Sequence, residues 1–180
     1  MVVTASVQDS RLKRRFELWD SNGDGTIDKS DYETEARRIL QAFGEQENNP
    51  KGRALMSAYL GMWDKLATKA KVGPQGKITM DQFLQVSEKE LVEGGDAGFD
   101  RNLRPTIEAI VDICDTDGDG EVNQQEFKRW MQAVGVDAMQ ADNAFAQLDT
   151  NGSGALSVEE LVDAVRAYHQ GTSDINLLGR

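Results

Sequence analysis

The segment Asp115-Thr116-Asp117-Gly118-Asp119-Gly120-Glu121-Val122-Asn123-Gln124-Gln125-Glu126 restricts what this chain can become more than any other. Oxygen-bearing side chains alternate with small residues for five positions, a glycine follows, and a glutamate closes the segment. A hard divalent cation takes six to eight oxygens at about 2.3–2.6 Å, so a short segment must wrap almost completely around it. Asp115, Asp117 and Asp119 offer carboxylates at positions 1, 3 and 5. Gly120 at position 6 has no Cβ and can take the positive φ of a sharp turn. Glu121 at position 7 presents its backbone carbonyl, Asn123 at position 9 acts directly or through a water, and Glu126 at position 12 is long enough to reach back with both oxygens.

The flanks complete a unit. Ile107, Ile110, Val111 and Cys114 before the loop, and Phe127, Trp130, Met131 and Val134 after it, recur at spacings of three and four, as one face of a helix does. Helix, loop and helix around D-x-[DN]-x-[DN]-G-x5-E is the EF-hand, a calcium-binding unit. Val122 at position 8 is placed to pair in a short β-bridge with the matching residue of a second loop.

The pattern repeats. Residues 20–31 reproduce it with Asp20, Asn22, Asp24 and the Thr26 carbonyl, but Asp31 closes the loop one methylene short. That contraction suits the smaller, octahedral Mg2+ better than Ca2+, so this loop is expected to be the most magnesium-tolerant. Residues 149–160 supply Asp149, Asn151, Ser153, the Ala155 carbonyl and Glu160, with Leu156 expected opposite Val122. Residues 71–82 keep Gly76 at position 6 and Ile78 at position 8, but lysine stands at position 1, glycine at 3 and glutamine at 5 and 12. An ammonium where a cation should bind is repulsive. The segment reads as a silent hand whose Ile78 pairs with Ile27, the alternative being a plain linker. Counting carboxylates at positions 1, 3, 5 and 12, residues 115–126 have four, 20–31 three and 149–160 two, so the third loop is expected to bind tightest.

Composition narrows the function further. A net charge of −11 disfavours nucleic acid and anionic membrane and favours cations or basic partners. The only cysteine, Cys114, rules out an internal disulfide and occupies the place of Trp19 and Leu148 in the sister loops, a core position. No apolar run approaches the roughly twenty residues of a membrane span. The start of the chain does not read as a signal peptide, and position 2 is valine, so myristoylation is not expected. These features predict a monomer in the cytoplasm. The glycine-rich Gly94–Gly98 stretch marks a boundary between an N-terminal pair in residues 1–93 and a C-terminal pair with its tail in residues 99–180. The fold class follows: all-α, four EF-hands in two pairs, each pair joined by a β-bridge, packed into one globule. Ile175, Leu177 and Leu178 near the end either fray or fold back onto the helices. His169 gets no function, and the Asn151-Gly152-Ser153 glycosylation pattern falls inside a metal loop by chance.

The order active, silent, active, active resembles the calerythrin and sarcoplasmic calcium-binding protein family. The resemblance rests on Arg11-Leu12-Lys13-Arg14-Arg15-Phe16 before the first loop, the aspartate closing it, Asp149-Thr150-Asn151-Gly152, and the Ala164-Val165-Arg166 region. It implies a four-hand globule, metal at the first, third and fourth loops, and a role as a cytosolic calcium buffer or transporter.

Three functions are open on the sequence. A buffer fits three expected Ca2+ sites and core-facing Trp19, Trp63 and Trp130. A sensor would open a methionine-rich groove for a protein target, but Met56, Met62, Met80, Met131 and Met139 are scattered among different segments. Calcium-triggered photoproteins resemble the same hand order and hold a luciferin among several histidines, whereas this chain has one. No nucleophile with a base and no phosphate-binding glycine motif stands out, and no enzyme is expected. An emptied loop crowds its carboxylates, so the metal-free chain is expected to be partly molten.

Overall fold

The computed structural model describes the backbone of residues 5–93, 95–170 and 173, and the side chains within 10–168 apart from 11, 88, 90–100 and 102. The aliphatic tail and the side chains of His169 and Arg11 lie outside what is described.

Each hand is a pair of helices around its loop. The first runs from α1 (Ala5–Trp19) through β1 (Thr26–Ile27) to α2 (Lys29–Ala42), and the second from α3 (Pro50–Ala70) through β2 (Ile78–Thr79) to α4 (Met80–Glu93). The third comprises α5 (Gly95–Cys114), β3 (Val122–Asn123) and α6 (Gln124–Ala133), and the fourth α7 (Ala138–Leu148), β4 (Ala155–Leu156) and α8 (Val158–Gln170). Helix starts follow their local chemistry. Asn49 caps α3 by accepting from the Gly52 N–H, and Pro50 occupies the first turn, where its missing N–H costs nothing. Asp28 and Asn123 form capping boxes with Asp31 and Glu126. Helix α5 takes in the glycines at 95 and 98, the stretch in which composition suggested a break.

The loops pair as the position-8 residues predict. Ile27 faces Ile78 and Thr26 faces Thr79, while Val122 faces Leu156 and Asn123 faces Ala155, both pairs antiparallel. Four hands in two β-bridged pairs therefore share one core. Ile27, Ile78, Val122 and Leu156 are fully buried in it. Trp19 stacks on Tyr32 with ring centroids 4.3 Å apart, Tyr32 leans on Trp63, and Phe127 meets Trp130 edge to face. Such aromatic contacts add to the burial of large apolar surfaces.

The two pairs are packed together, not strung apart. Helix α3 lies against α5 and α2 against α6. Lys51 of α3 donates to the Asp112 carbonyl of α5 at 2.8 Å. Arg129 of α6 donates from Nε to the Ala42 carbonyl at the end of α2, at 2.5 Å, and lays its guanidinium over the Phe43 ring, 4.9 Å from the centroid. A cation at a helix C-terminus meets unpaired carbonyls and the negative end of the dipole, and the ring face adds a further attraction.

Candidate metal centre

The third loop is the most convergent. Asp115 accepts from Gly118 N–H at 2.8 Å and Asp119 N–H at 3.1 Å on Oδ1, and from Gly120 N–H at 2.8 Å on Oδ2. These donors aim inward because Gly118 and Gly120 sit at φ +78 and +81, a left-handed conformation that other side chains rarely tolerate. Glu126 is 4 % exposed and folds back across the loop. Its Oε1 accepts from the Thr116 N–H and hydroxyl, both at 2.8 Å, and its Oε2 from Asn123 N–H at 2.9 Å. Asp115, Asp117 and Glu126 thereby bring oxygens within 4.8 Å of one another, the only such acidic trio among the described residues.

Electrostatics show the cost of that arrangement. Burial pushes Asp115 up, but N–H donors from Gly120, Gly118 and Asp119 and a bond shared with Asp117 outweigh it and hold its pKa down. The Asp119 N–H pulls Asp117 down, yet burial, the bond shared with Asp115 and the charges of Asp119 and Glu126 raise it overall. The loop's carboxylates thus repel one another, and a divalent cation would relieve that repulsion. All-oxygen donors, inward convergence and excess negative charge fit Ca2+.

The first loop repeats the frame on a shorter closing residue. Asp20 accepts from Gly25 N–H at 2.8 Å and Asp24 N–H at 3.1 Å, and Asn22 accepts from the same Asp24 N–H at 3.0 Å. Asp24 Oδ1 accepts from the Thr26 N–H and hydroxyl at 2.9 and 2.7 Å. Asp31, 1 % exposed, reaches Ser21 N–H at 3.1 Å and Asp28 N–H at 2.9 Å, the same two positions that Glu126 reaches in the third loop. It does so with one methylene fewer than Glu126. Burial raises the Asp31 pKa, opposed by the bonds from Asp28 and Ser21. Asp24 is held down at about 2 by the Thr26 hydroxyl and N–H and by Lys77.

The fourth loop is less closed. Asp149 accepts from Gly154 and Ser153 N–H groups at 2.9 and 3.0 Å, and Asn151 from Ser153 at 2.9 Å. The Ser153 hydroxyl donates to the Ala155 carbonyl at 2.8 Å. Glu160 is half-buried and caps its helix by accepting from Ser157 N–H at 3.0 Å. Among the described residues its carboxylate makes no bond to the start of the loop of the kind that Glu126 and Asp31 make.

Asn123 also has a structural part: its Oδ1 accepts from the Gln125 and Glu126 N–H groups, both at 3.0 Å, and so caps α6. One expectation is corrected. In the silent hand the positive-φ glycine is Gly73, not Gly76. Gly76 is required for a different reason, because a Cβ there would lie 2.2 Å from the Val72 carbonyl oxygen. The bridge to β1 survives on this altered turn, which Trp63 fastens by donating from Nε1 to the Pro74 carbonyl at 2.9 Å. Lys77 has no role that spacing within its own loop reveals. Its Nζ lies 3.1 Å from Asp24 Oδ2 and 3.7 Å from Asp28 Oδ2 in the neighbouring loop.

Comparison with known proteins agrees with this geometry. The EF hand family matches residues 12–34 and 141–165, and the EF-hand domain pair family matches residues 74–134. Calerythrin from Saccharopolyspora erythraea is 41 % identical over 98 % of this chain and 100 % of its own length. This chain belongs to the calerythrin and sarcoplasmic calcium-binding protein family. Among solved structures, a Streptomyces coelicolor calcium-binding protein described in terms of prokaryotic calcium-mediated regulation superposes with a TM-score of 0.79 at 33 % identity, covering 90 % of this chain and 97 % of that one. A luciferin-binding protein from Renilla reniformis is 28 % identical over 93 % of this chain and 88 % of its own. As a family member the chain is an EF-hand calcium-binding protein. Among the described residues, no helix is long and apolar enough to cross a membrane.

Proposed function

We propose that this family member binds three Ca2+, at residues 20–31, 115–126 and 149–160, with Mg2+ competing chiefly in the first loop, and serves as a cytoplasmic calcium buffer or transporter. Asp20, Asn22, Asp24, Asp31 and the Thr26 carbonyl would hold the first ion. Asp115, Asp117, Asp119, Glu126 and the Glu121 carbonyl would hold the second, and Asp149, Asn151, Ser153, Glu160 and the Ala155 carbonyl the third. The ion supplies positive charge that offsets the crowded carboxylates. The chain supplies closure, as Asp31 and Glu126 tie their exiting helices to the start of their loops.

The filled interior carries the buffer reading. Leu18, Trp19, Glu35, Tyr59, Ile110, Trp130 and Val134 enclose a cavity of ≈ 10 Å³, room for about one water. A luciferin has no space there. Opening a groove for a target would expose Trp19 and Trp130, whose burial is among the larger apolar contributions a side chain can make. A sensor role is the second reading, favoured by the regulatory description of the Streptomyces relative.

The deciding experiment is a Ca2+ titration in millimolar Mg2+, followed by a dye that fluoresces on exposed apolar surface. A flat or falling signal as the sites fill supports the buffer. A sharp rise supports the sensor and refutes the buffer.

A further inference from the structure

The silent hand carries a charge aimed at its partner. With Ile27 opposite Ile78, the antiparallel register continues to place Asp28 opposite Lys77. Lys77 Nζ donates to Asp24 Oδ2 at 3.1 Å and lies 3.7 Å from Asp28 Oδ2. These two aspartates occupy positions 5 and 9 of the first loop. Asp24 Oδ1 is engaged by Thr26 and Asp28 Oδ1 by the Ser30 N–H and hydroxyl, so the ammonium takes the oxygens left over. In the second pair Asn123 faces Ala155, and the corresponding position has no charge. The Lys77 side chain is 57 % exposed, so as a surface ion pair it adds little to folding. Its place beside two loop carboxylates gives it a different consequence.

We propose that Lys77 is a tethered counter-cation for the first metal loop, holding Asp24 and Asp28 in the metal-free state and competing with the incoming ion for Asp24 Oδ2. This rests on the reading of residues 20–31 as a metal site. A divalent ion reaching the loop meets a carboxylate already neutralised from across the β-bridge. Affinity there is lower than the loop's own aspartates would give. It is also less sensitive to salt, because part of the screening is built into the chain. The hand that lost its own ligands would thus set the working range of its neighbour.

The test is a set of full-length variants titrated with Ca2+ and Mg2+ and followed by amide NMR. Gly25, Gly120 and Gly154 each donate to the first aspartate of their own loop, at 2.8, 2.8 and 2.9 Å, so each amide reports one site. Removing one unit charge beside a divalent ion should tighten the Gly25 midpoint in Lys77→Gln by about five- to tenfold at low ionic strength, narrowing to about two- to threefold at 0.15 M salt. The Gly120 and Gly154 midpoints should stay within about twofold, since charges beyond a Debye length are largely screened. Lys77→Arg should restore the Gly25 midpoint, and Lys89→Gln, which removes the same charge on α4, should leave it unchanged. A Gly25 amide that shifts at the same midpoint in wild type and Lys77→Gln would overturn the role of Lys77 while leaving the metal site standing. A Gly25 amide that never responds in either protein would remove the metal site itself, and this inference with it.

Discussion

Replacing Ile78 by alanine tests whether the silent hand is retained as a partner for the first loop. Ile78 and Ile27 are each fully buried and lie opposite one another in the β1–β2 bridge. Truncating an isoleucine in such a site costs the lost transfer energy plus the cavity left behind, about 2–5 kcal/mol for Ile→Ala. The bridge is only two residues long, but Trp63 and Pro74 fasten the silent loop, so the site cannot collapse freely and a value near 3 kcal/mol is expected. For a chain of this size that lowers Tm by about 6–12 °C, read by calorimetry at saturating Ca2+. Ile27→Ala should cost a similar amount. The double variant should lose less than the sum by at least about 0.5 kcal/mol, because the second truncation enlarges a cavity already made. Ile78→Ala should also weaken metal binding at the first loop, seen at the Gly25 amide, because the strand that positions Thr26 loses its support. A Tm within 2 °C of wild type, or strict additivity, would refute the claim that the two loops are braced through this pair.

Further outcomes follow from the closing carboxylates and one partly buried acid. Asp31→Glu should lengthen the closing arm of the first loop and raise its Ca2+ over Mg2+ preference by about tenfold or more, equivalent to 1.4 kcal/mol; an unchanged ratio by competitive titration would contradict the expectation that the shorter aspartate favours Mg2+. Glu126→Gln should weaken the third loop more than about tenfold and lower the metal-free Tm as well, since Glu126 already ties Thr116 to Asn123. Glu160→Gln should weaken the fourth loop but leave the metal-free Tm within about 2 °C, since its carboxylate makes only the Ser157 cap, a contact a neutral side chain can largely replace. Glu35 has its pKa raised by burial, with Arg38 opposing. The folded state therefore holds that proton more tightly than the unfolded state, and stability falls as pH rises through the raised pKa. Glu35→Gln should raise Tm at pH 7, with the gain vanishing as pH drops into the ordinary glutamate range; a gain independent of pH would refute the assignment.

Much of the site was legible because a metal loop is local chemistry. Twelve consecutive residues contain the donors, the turn and the helix cap, so spacing alone located Asp115, Asp117 and Glu126. The β-bridge partners were legible for the same reason, since position 8 is fixed by counting. What could not be counted was the direction of a side chain across a bridge. At position 7, where a loop calls only on the backbone carbonyl, Lys77 has no role by counting until Ile78 is set against Ile27, when it falls opposite Asp28. Gly76 shows another limit. A glycine at position 6 has the same letter whether a positive φ or a close backbone approach demands it, and here the second holds. The double engagement of Asn123 Oδ1 was hidden because a helix cap and a metal ligand draw on the same few residue types.

Arg129 has a bearing on what counts as the working part of this chain. By gripping the last carbonyl of α2 and the face of Phe43, it couples the departing helix of one hand to that of another in the opposite pair. A rotation of either helix on filling its loop must be followed by the other or else break the grip. The response to calcium is then a property of all four hands together, and severing the chain between α4 and α5 would yield two fragments, neither of which reports metal as the intact protein does.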